Sequence, residues 1–203
     1  MNLPNKITMI RIILIPFIIF FYLADFLNPY GKVIALALFI IAALTDRLDG
    51  YLARKLNMTT TLGVFLDTNA DKLLTNISLL LVVCDGTIPM PYGVLVAIIF
   101  VGRDIVISAL KQLAASKNYV MCADQLGRVK AGFQMVAIPA LMLATFLSLV
   151  VKNTTVVKAF YILGWSILGV ATALTIISML NYLIKNRAFF VEDKKEETST
   201  KED

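Results

Sequence analysis

Four aspartates, Asp46, Asp49, Asp67 and Asp71, are crowded into one stretch of an otherwise apolar chain. The first two belong to Asp46-Arg47-Leu48-Asp49-Gly50-Tyr51-Leu52-Ala53-Arg54. On a helix, Asp46, Asp49, Gly50 and Ala53 fall at i, i+3, i+4 and i+7 and share one face. Gly63, Asp67 and Asp71 fall at i, i+4 and i+8 and share another. The segment from Lys55 to Leu62 is short enough to make the two helices antiparallel neighbours, with their acidic faces opposed. Four carboxylates at close range cannot all ionise without compensation. A divalent cation supplies it. The chain has no histidine, and its two cysteines, Cys84 and Cys122, show neither a zinc spacing nor a disulfide framework. Hard oxygen ligands favour Mg²⁺, Mn²⁺ or Ca²⁺ over Zn²⁺. Mg²⁺ commonly joins carboxylates to substrate phosphates, and two ions about 3.5–4 Å apart can act on attacking and leaving oxygens together. The residues thus fit phosphoryl-type chemistry on a hard divalent cation, and Mg²⁺ or Mn²⁺, as two ions, is the expected cofactor. Gly50, Ala53 and Gly63 leave room on the same faces for a bulky group. The plainer reading is a set of buried acids paired with Arg47, Arg54 and Lys72.

Those faces require helices, and composition says where the helices lie. The chain is 59% hydrophobic and 16% charged, with a mean hydropathy of +0.80. A soluble domain is roughly 45–50% apolar and about 25% charged, so this is a membrane protein. Six apolar segments, at about 8–28, 33–55, 63–84, 91–115, 128–150 and 157–184, approach or exceed the roughly 20 residues that cross a bilayer. The fold class is all-α: a polytopic membrane protein of six transmembrane helices, preceded by a short interfacial piece, Met1–Thr8. One domain is expected over 1–191, followed by a charged, solvated tail at 192–203. Without that tail the chain keeps 16 basic and 8 acidic residues, all eight being Asp. Five of the eight lie in or beside apolar segments, where a charge costs about 2.5–3.5 kcal/mol on insertion scales. An acid retained at that cost is a functional candidate.

Orientation follows the positive-inside rule. Lys6, Arg11, Arg54, Lys55, Lys117, Arg128, Lys130, Lys185 and Arg187 fall at one set of helix ends, and only Lys32, Lys152 and Lys158 at the other. Both termini and the acidic faces are therefore expected at the cytoplasmic side of the cell membrane.

The spacing D-x-x-D-G-x-x-A-R, eight residues, then G-x-x-x-D-x-x-x-D resembles the signature of the CDP-alcohol phosphotransferase family. Every specified position is filled, by Asp46, Asp49, Gly50, Ala53, Arg54, Gly63, Asp67 and Asp71. The resemblance implies six membrane helices and a site open to the cytoplasmic leaflet. It implies that Asp46, Asp49 and Asp67 ligate metal, and that Asp71 ligates it or lies beside it and acts as general base. Asp46, Gly50, Ala53, Arg54 and Gly63, together with Thr8, would bind the CDP-lipid. An alcohol oxygen would attack the lipid-linked phosphorus and CMP would leave. The residues alone leave Asp71 open, as base or as ligand only. A free Asp, with a pKa of about 3.9, is a poor acceptor for an alcohol proton. Neighbouring acids raise its basicity, while metal lowers it.

Outside the signature the likeness runs from residue 1 to about residue 137. Asn2–Thr8, Arg11, Leu14-Ile15-Pro16, Ala70–Leu74, Arg103-Asp104 with Ser108 and Lys111, and Gly127–Lys130 with Gln134 are similar to bacterial members that use glycerol 3-phosphate. That implies CDP-diacylglycerol and glycerol 3-phosphate as substrates, and phosphatidylglycerol phosphate and CMP as products. An anionic acceptor needs cations, and Arg103, Lys111, Arg128 and Lys130 are the candidates. Arg103 stands out because a mid-helix cation is costly in lipid; its alternative is an ion pair with Asp104 or with one of the signature aspartates. Thr68-Asn69, Gly102-Arg103-Asp104 and Ala131 depart from that pattern, which keeps phosphatidylglycerol, inositol phosphate and serine open as acceptors. By resemblance the chain forms a homodimer among membrane lipid, and no nucleic acid is expected as a partner. The competing class is a cation transporter, since intramembrane acids also mark ion pathways. Transporter sites, however, favour the midplane and repeated halves, and neither is visible here.

Overall fold

The computed structural model describes residues 3–56, 61–116, 125–151 and 153–186. Among them the chain is helical, with no strand. Six helices follow in order: α1 (Leu3–Leu23), α2 (Tyr30–Leu56), α3 (Thr61–Cys84), α4 (Tyr92–Ser116), α5 (Gln125–Val150) and α6 (Thr154–Lys185). A short 3₁₀ turn, Asp25–Leu27, links the first pair. Helices are what an apolar chain must form in lipid, because each backbone N–H and C=O has to be satisfied within the segment. The six expected segments are all present, with ends shifted by a few residues. One boundary differs in kind. Leu3–Thr8, expected as a separate interfacial piece, is continuous with α1. Pro4 falls in the first turn, where its missing N–H costs no hydrogen bond, and nothing between Lys6 and Arg11 breaks the helix. The tail at 192–203 lies outside the described residues.

The distribution of side chains is that of an integral membrane protein. Large apolar residues such as Phe17, Phe20, Ile98, Ile105, Ile162, Leu180 and Ile184 face outward. Polar ones, among them Thr8, Arg11, Lys32, Arg103, Asp104, Lys130, Gln134 and Ser178, are buried. Helices α4, α5 and α6 are each long and apolar enough to cross a membrane. Helices α1 and α2 contribute the shorter apolar stretches Thr8–Leu23 and Tyr30–Thr45. The charged residues that close α2 and open α3 shorten the apolar runs there.

Packing fixes which helices can share a site. α5 lies most extensively on α6. A methyl added at Gly164 of α6 would fall 2.7 Å from the Leu141 side chain of α5, so glycine there lets the two helices approach closely. α1 packs on both α2 and α3, and among the described residues α2 and α3 touch each other less than either touches α1. The core between these helices includes Ile18, Phe39, Leu74, Leu79, Phe100, Ile138 and Leu141.

One end of the bundle is closed by a polar clamp. The Lys32 ammonium pairs with Asp85 and stands 4.5 Å from the centre of the Tyr22 ring. The Tyr22 hydroxyl donates to Asp85 Oδ2 at 3.5 Å, and the Thr87 hydroxyl donates to the same oxygen at 3.2 Å. Thr87 and Thr145 share a hydroxyl contact of 2.6 Å. Gly86, at φ +75°, makes the turn that brings Asp85 and Thr87 to this point. The clamp joins the end of α1, the start of α2, the end of α3 and the end of α5. Successive helices therefore run in opposite directions, and the starts of α1, α3 and α5 lie together at the other end.

Candidate functional site

The signature residues fall at that other end. Asp46, Asp49, Gly50, Ala53 and Arg54 occupy the closing turns of α2, and Gly63, Asp67 and Asp71 the opening turns of α3. The helical register expected for each group is therefore present: Asp46 and Asp49 are one turn apart on α2, and Asp67 and Asp71 one turn apart on α3. The side chains of Asp46, Asp49, Ala53, Arg54 and Asp67 lie outside the described residues. Asp71 is described: it is half-buried, its Oδ1 is shielded from solvent, and its backbone carbonyl accepts the Thr75 hydroxyl at 3.0 Å. Thr8 is buried on α1 at the same end.

Beside Asp71, helices α3 to α6 build a charged cluster around Asp104. Asp104 Oδ1 accepts from Lys130 Nζ at 3.0 Å and from an Arg103 guanidinium nitrogen at 3.2 Å. Its Oδ2 faces Asn76 Nδ2 at 3.4 Å. The other terminal nitrogen of Arg103 donates to the Ser178 hydroxyl of α6 at 2.9 Å. The Ser108 hydroxyl donates to the Asp104 backbone carbonyl and accepts from Lys72 Nζ. Lys130 also reaches Gln134 Oε1 at 3.5 Å and lies 4.8 Å from the centre of the Phe100 ring. One carboxylate thus gathers α3, α4 and α5 directly, and α6 through Arg103.

Each helix contributes polar residues one turn apart: Lys72 and Asn76, Asp104 and Ser108, Lys130 and Gln134, Ser178 and Tyr182. That i, i+4 spacing puts both members of a pair on one helix face. A polar stripe inside an apolar segment survives only if it faces the interior, because lipid cannot hydrogen-bond it. The recurrence of this spacing is the signal that could have found Asn76 and Ser178. The sequence reading also missed Arg11 as an interior residue. Arg11 was counted among the basic helix ends and in the resemblance, yet its side chain is buried on α1, three residues beyond Thr8.

The four cations proposed for an anionic acceptor separate into two groups. Arg103 and Lys130 come together on Asp104, so the ion pair with Asp104 foreseen for Arg103 is formed, and Lys130 shares it. Lys111 and Arg128 are exposed and make no hydrogen bond or ion pair among the described residues. Lys111 Nζ stands 5.8 Å from the centre of the Tyr182 ring. The buried polar atoms at the cluster with no hydrogen-bond partner among the described residues include Asn76 Oδ1 and Gln134 Nε2.

In charge, among the described residues, Lys72, Arg103 and Lys130 gather around Asp104, with Asp71 next to Lys72 on α3 and Lys111 beyond. An interior with surplus positive charge is suited to an anion, and low dielectric surroundings strengthen the attraction. The arrangement can therefore hold a phosphate next to the acidic faces of α2 and α3. Those faces fit a hard divalent cation by donor chemistry: they offer carboxylates, the chain has no histidine, and Cys84 lies at the far end of α3.

Comparison with known proteins gives a consistent result. The sequence model of the CDP-alcohol phosphatidyltransferase family matches residues 1–177. A CDP-diacylglycerol–glycerol-3-phosphate 3-phosphatidyltransferase from Pseudomonas fluorescens is 39% identical over 192 residues, covering 90% of this chain and 89% of the relative. Its counterpart from Escherichia coli (strain K12) is 36% identical over 193 residues, covering 92% and 96%. That from Bacillus subtilis (strain 168) is 38% identical over 152 residues, covering 70% and 77%.

Proposed function

The chain belongs to the CDP-alcohol phosphatidyltransferase family, and from that premise we propose that it transfers a phosphatidyl group from CDP-diacylglycerol to glycerol 3-phosphate. The products are phosphatidylglycerol phosphate and CMP. The observation that carries the acceptor is the cationic cluster on Asp104, set one turn and less from Asp71 along α3. A serine acceptor has no phosphate for such a surplus of positive charge to receive.

In this reading an acceptor hydroxyl oxygen forms a bond to the phosphorus that carries diacylglycerol. The bond from that phosphorus to the oxygen bridging to CMP breaks, and CMP leaves with the electron pair. Asp71 takes the hydroxyl proton or ligates metal beside it. Asp46, Asp49, Asp67 and Asp71 would hold Mg²⁺ or Mn²⁺, as two ions, which would supply charge neutralisation at the diphosphate. Asp46, Gly50, Ala53, Arg54, Gly63 and Thr8 seat the CDP-lipid. Arg103 and Lys130, with Lys111 and Arg128 nearer the rim, draw in the acceptor phosphate. The distribution of basic residues supports six spans with the site and both termini cytoplasmic, and homodimer assembly belongs to the same proposal.

The test is an acceptor panel. Purified protein with CDP-diacylglycerol and Mg²⁺ is offered glycerol 3-phosphate, phosphatidylglycerol, inositol phosphate or serine, and CMP is measured. Release with glycerol 3-phosphate is expected. Release with phosphatidylglycerol alone would remove the acceptor assignment, and no release with any acceptor would remove the enzyme.

A further inference from the structure

We infer that Lys72, held by Ser108, is the cation that directly contacts the phosphate of the acceptor, with Arg103 and Lys130 acting from behind it. The inference deepens the proposed function and rests on it. Its basis is which cations an incoming phosphate can reach. Lys130 is 2% exposed and Arg103 7%. Both donate to the same oxygen of Asp104; Lys130 also reaches Gln134, and Arg103 also donates to Ser178. Both lie in the buried interior of the cluster on a carboxylate, and drawing either out of it is costly. Lys72 is different. It is half-buried, and its one hydrogen bond among the described residues is to the Ser108 hydroxyl. An ammonium has three donors, so two remain for phosphate oxygens.

The surroundings of Lys72 match the part. Asp71 precedes it on α3, and its partner Ser108 is bonded to the Asp104 carbonyl on α4. It therefore stands between the cationic cluster and the residue proposed as base. Asp71 and Lys72 are consecutive on α3 and point about 100° apart. A phosphate on Lys72 would direct the carbon chain of the acceptor, and its free hydroxyl, toward the Asp71 side. Among the described residues, Lys72, Arg103, Lys130 and Lys111 against Asp104 and Asp71 leave a surplus of two positive charges. A phosphate monoester carries about −1.5 to −2 at pH 7. Ser108 is the positioning residue: its hydroxyl is anchored on the Asp104 carbonyl and accepts from Lys72.

The test is steady-state kinetics of the full chain in detergent with CDP-diacylglycerol and glycerol 3-phosphate. Lys72→Gln should raise KM for glycerol 3-phosphate about tenfold to a hundredfold. KM for CDP-diacylglycerol should stay within about twofold, and Lys72→Arg should recover much of the loss because it keeps the charge. A lowered kcat at unchanged KM for glycerol 3-phosphate would place Lys72 on the carboxylates instead and overturn the inference. So would wild-type kinetics in Lys72→Gln. If Lys72→Gln does not fold, Ser108→Ala decides. It should raise the same KM about three- to tenfold, with rescue by Ser108→Thr, and an unchanged KM would overturn the inference. The wild-type control separates the two proposals. No turnover with glycerol 3-phosphate there would be a failure of the acceptor reading, not of Lys72.

Discussion

At the scale of single residues, the aspartates and the cations behave differently as signals. A carboxylate in an apolar helix is costly, so Asp46, Asp49, Asp67 and Asp71 could be singled out before any fold was known. Replacing Asp67 with Asn keeps size and hydrogen bonding but removes the charge that a hard cation needs. Asp67→Asn should therefore lower turnover to background while thermal unfolding and elution volume stay close to wild type. Retained activity would take Asp67 out of the metal site. The cations were harder to read. Arg103, Lys111, Arg128 and Lys130 were grouped as acceptor ligands by type and position, whereas burial divides them: two are locked on Asp104 and two are exposed. Lys72 was given as a counter-ion of the acids and as part of the Ala70–Leu74 likeness, with no role toward the acceptor. Its accessibility depends on where α4 places Ser108, and no spacing within α3 contains that information.

At the scale of elements, α4 shows how polar contacts substitute for apolar packing. Its contacts with α3 and α6 are modest beside those of α5 with α6. Asp104 compensates by joining α4 to Asn76 of α3 and Lys130 of α5, and Arg103 extends the link to Ser178 of α6. Asp104→Asn would leave Lys130 and Arg103 buried without their anion, a change that typically costs about 3–5 kcal/mol. A clear fall in the unfolding temperature is expected, with a parallel loss of activity. An unfolding temperature within a degree or so of wild type would mean that α4 is held by its apolar contacts. Element order and approximate ends were legible from apolar runs and from punctuation such as Asn28-Pro29 and Asp85-Gly86. The continuity of α1 through Thr8 was not, because a polar start in an interfacial segment and a polar first turn of a helix have the same composition.

At the scale of the whole molecule, two polar clusters mark the two ends of an apolar bundle. Lys32, one of the few cations assigned to the outer side, is explained by its pairing with Asp85 inside a clamp that joins four helices. The sidedness proposed for the site gives a direct test with the native cysteines. Cys84 is exposed at the end of α3 away from Asp71, and Cys122 lies in the connection between α4 and α5. In intact cells a membrane-impermeant maleimide should label the Cys122→Ala variant at Cys84, and should label the Cys84→Ala variant only after permeabilisation. The reverse pattern would invert the topology. The sequence by itself determined that this is a helical membrane protein, that its acids form two helix faces, and which reaction those faces resemble. Each of these follows from periodicity and transfer cost along one segment. Only the tertiary structure decided that Asp104 is the hub, that Lys130 joins Arg103 on it, and that Lys72 is the half-buried cation of the cluster. Those facts depend on contacts between residues 26 to 75 positions apart in the chain, and such pairings are chosen by how the helices pack rather than by the pattern within any one of them.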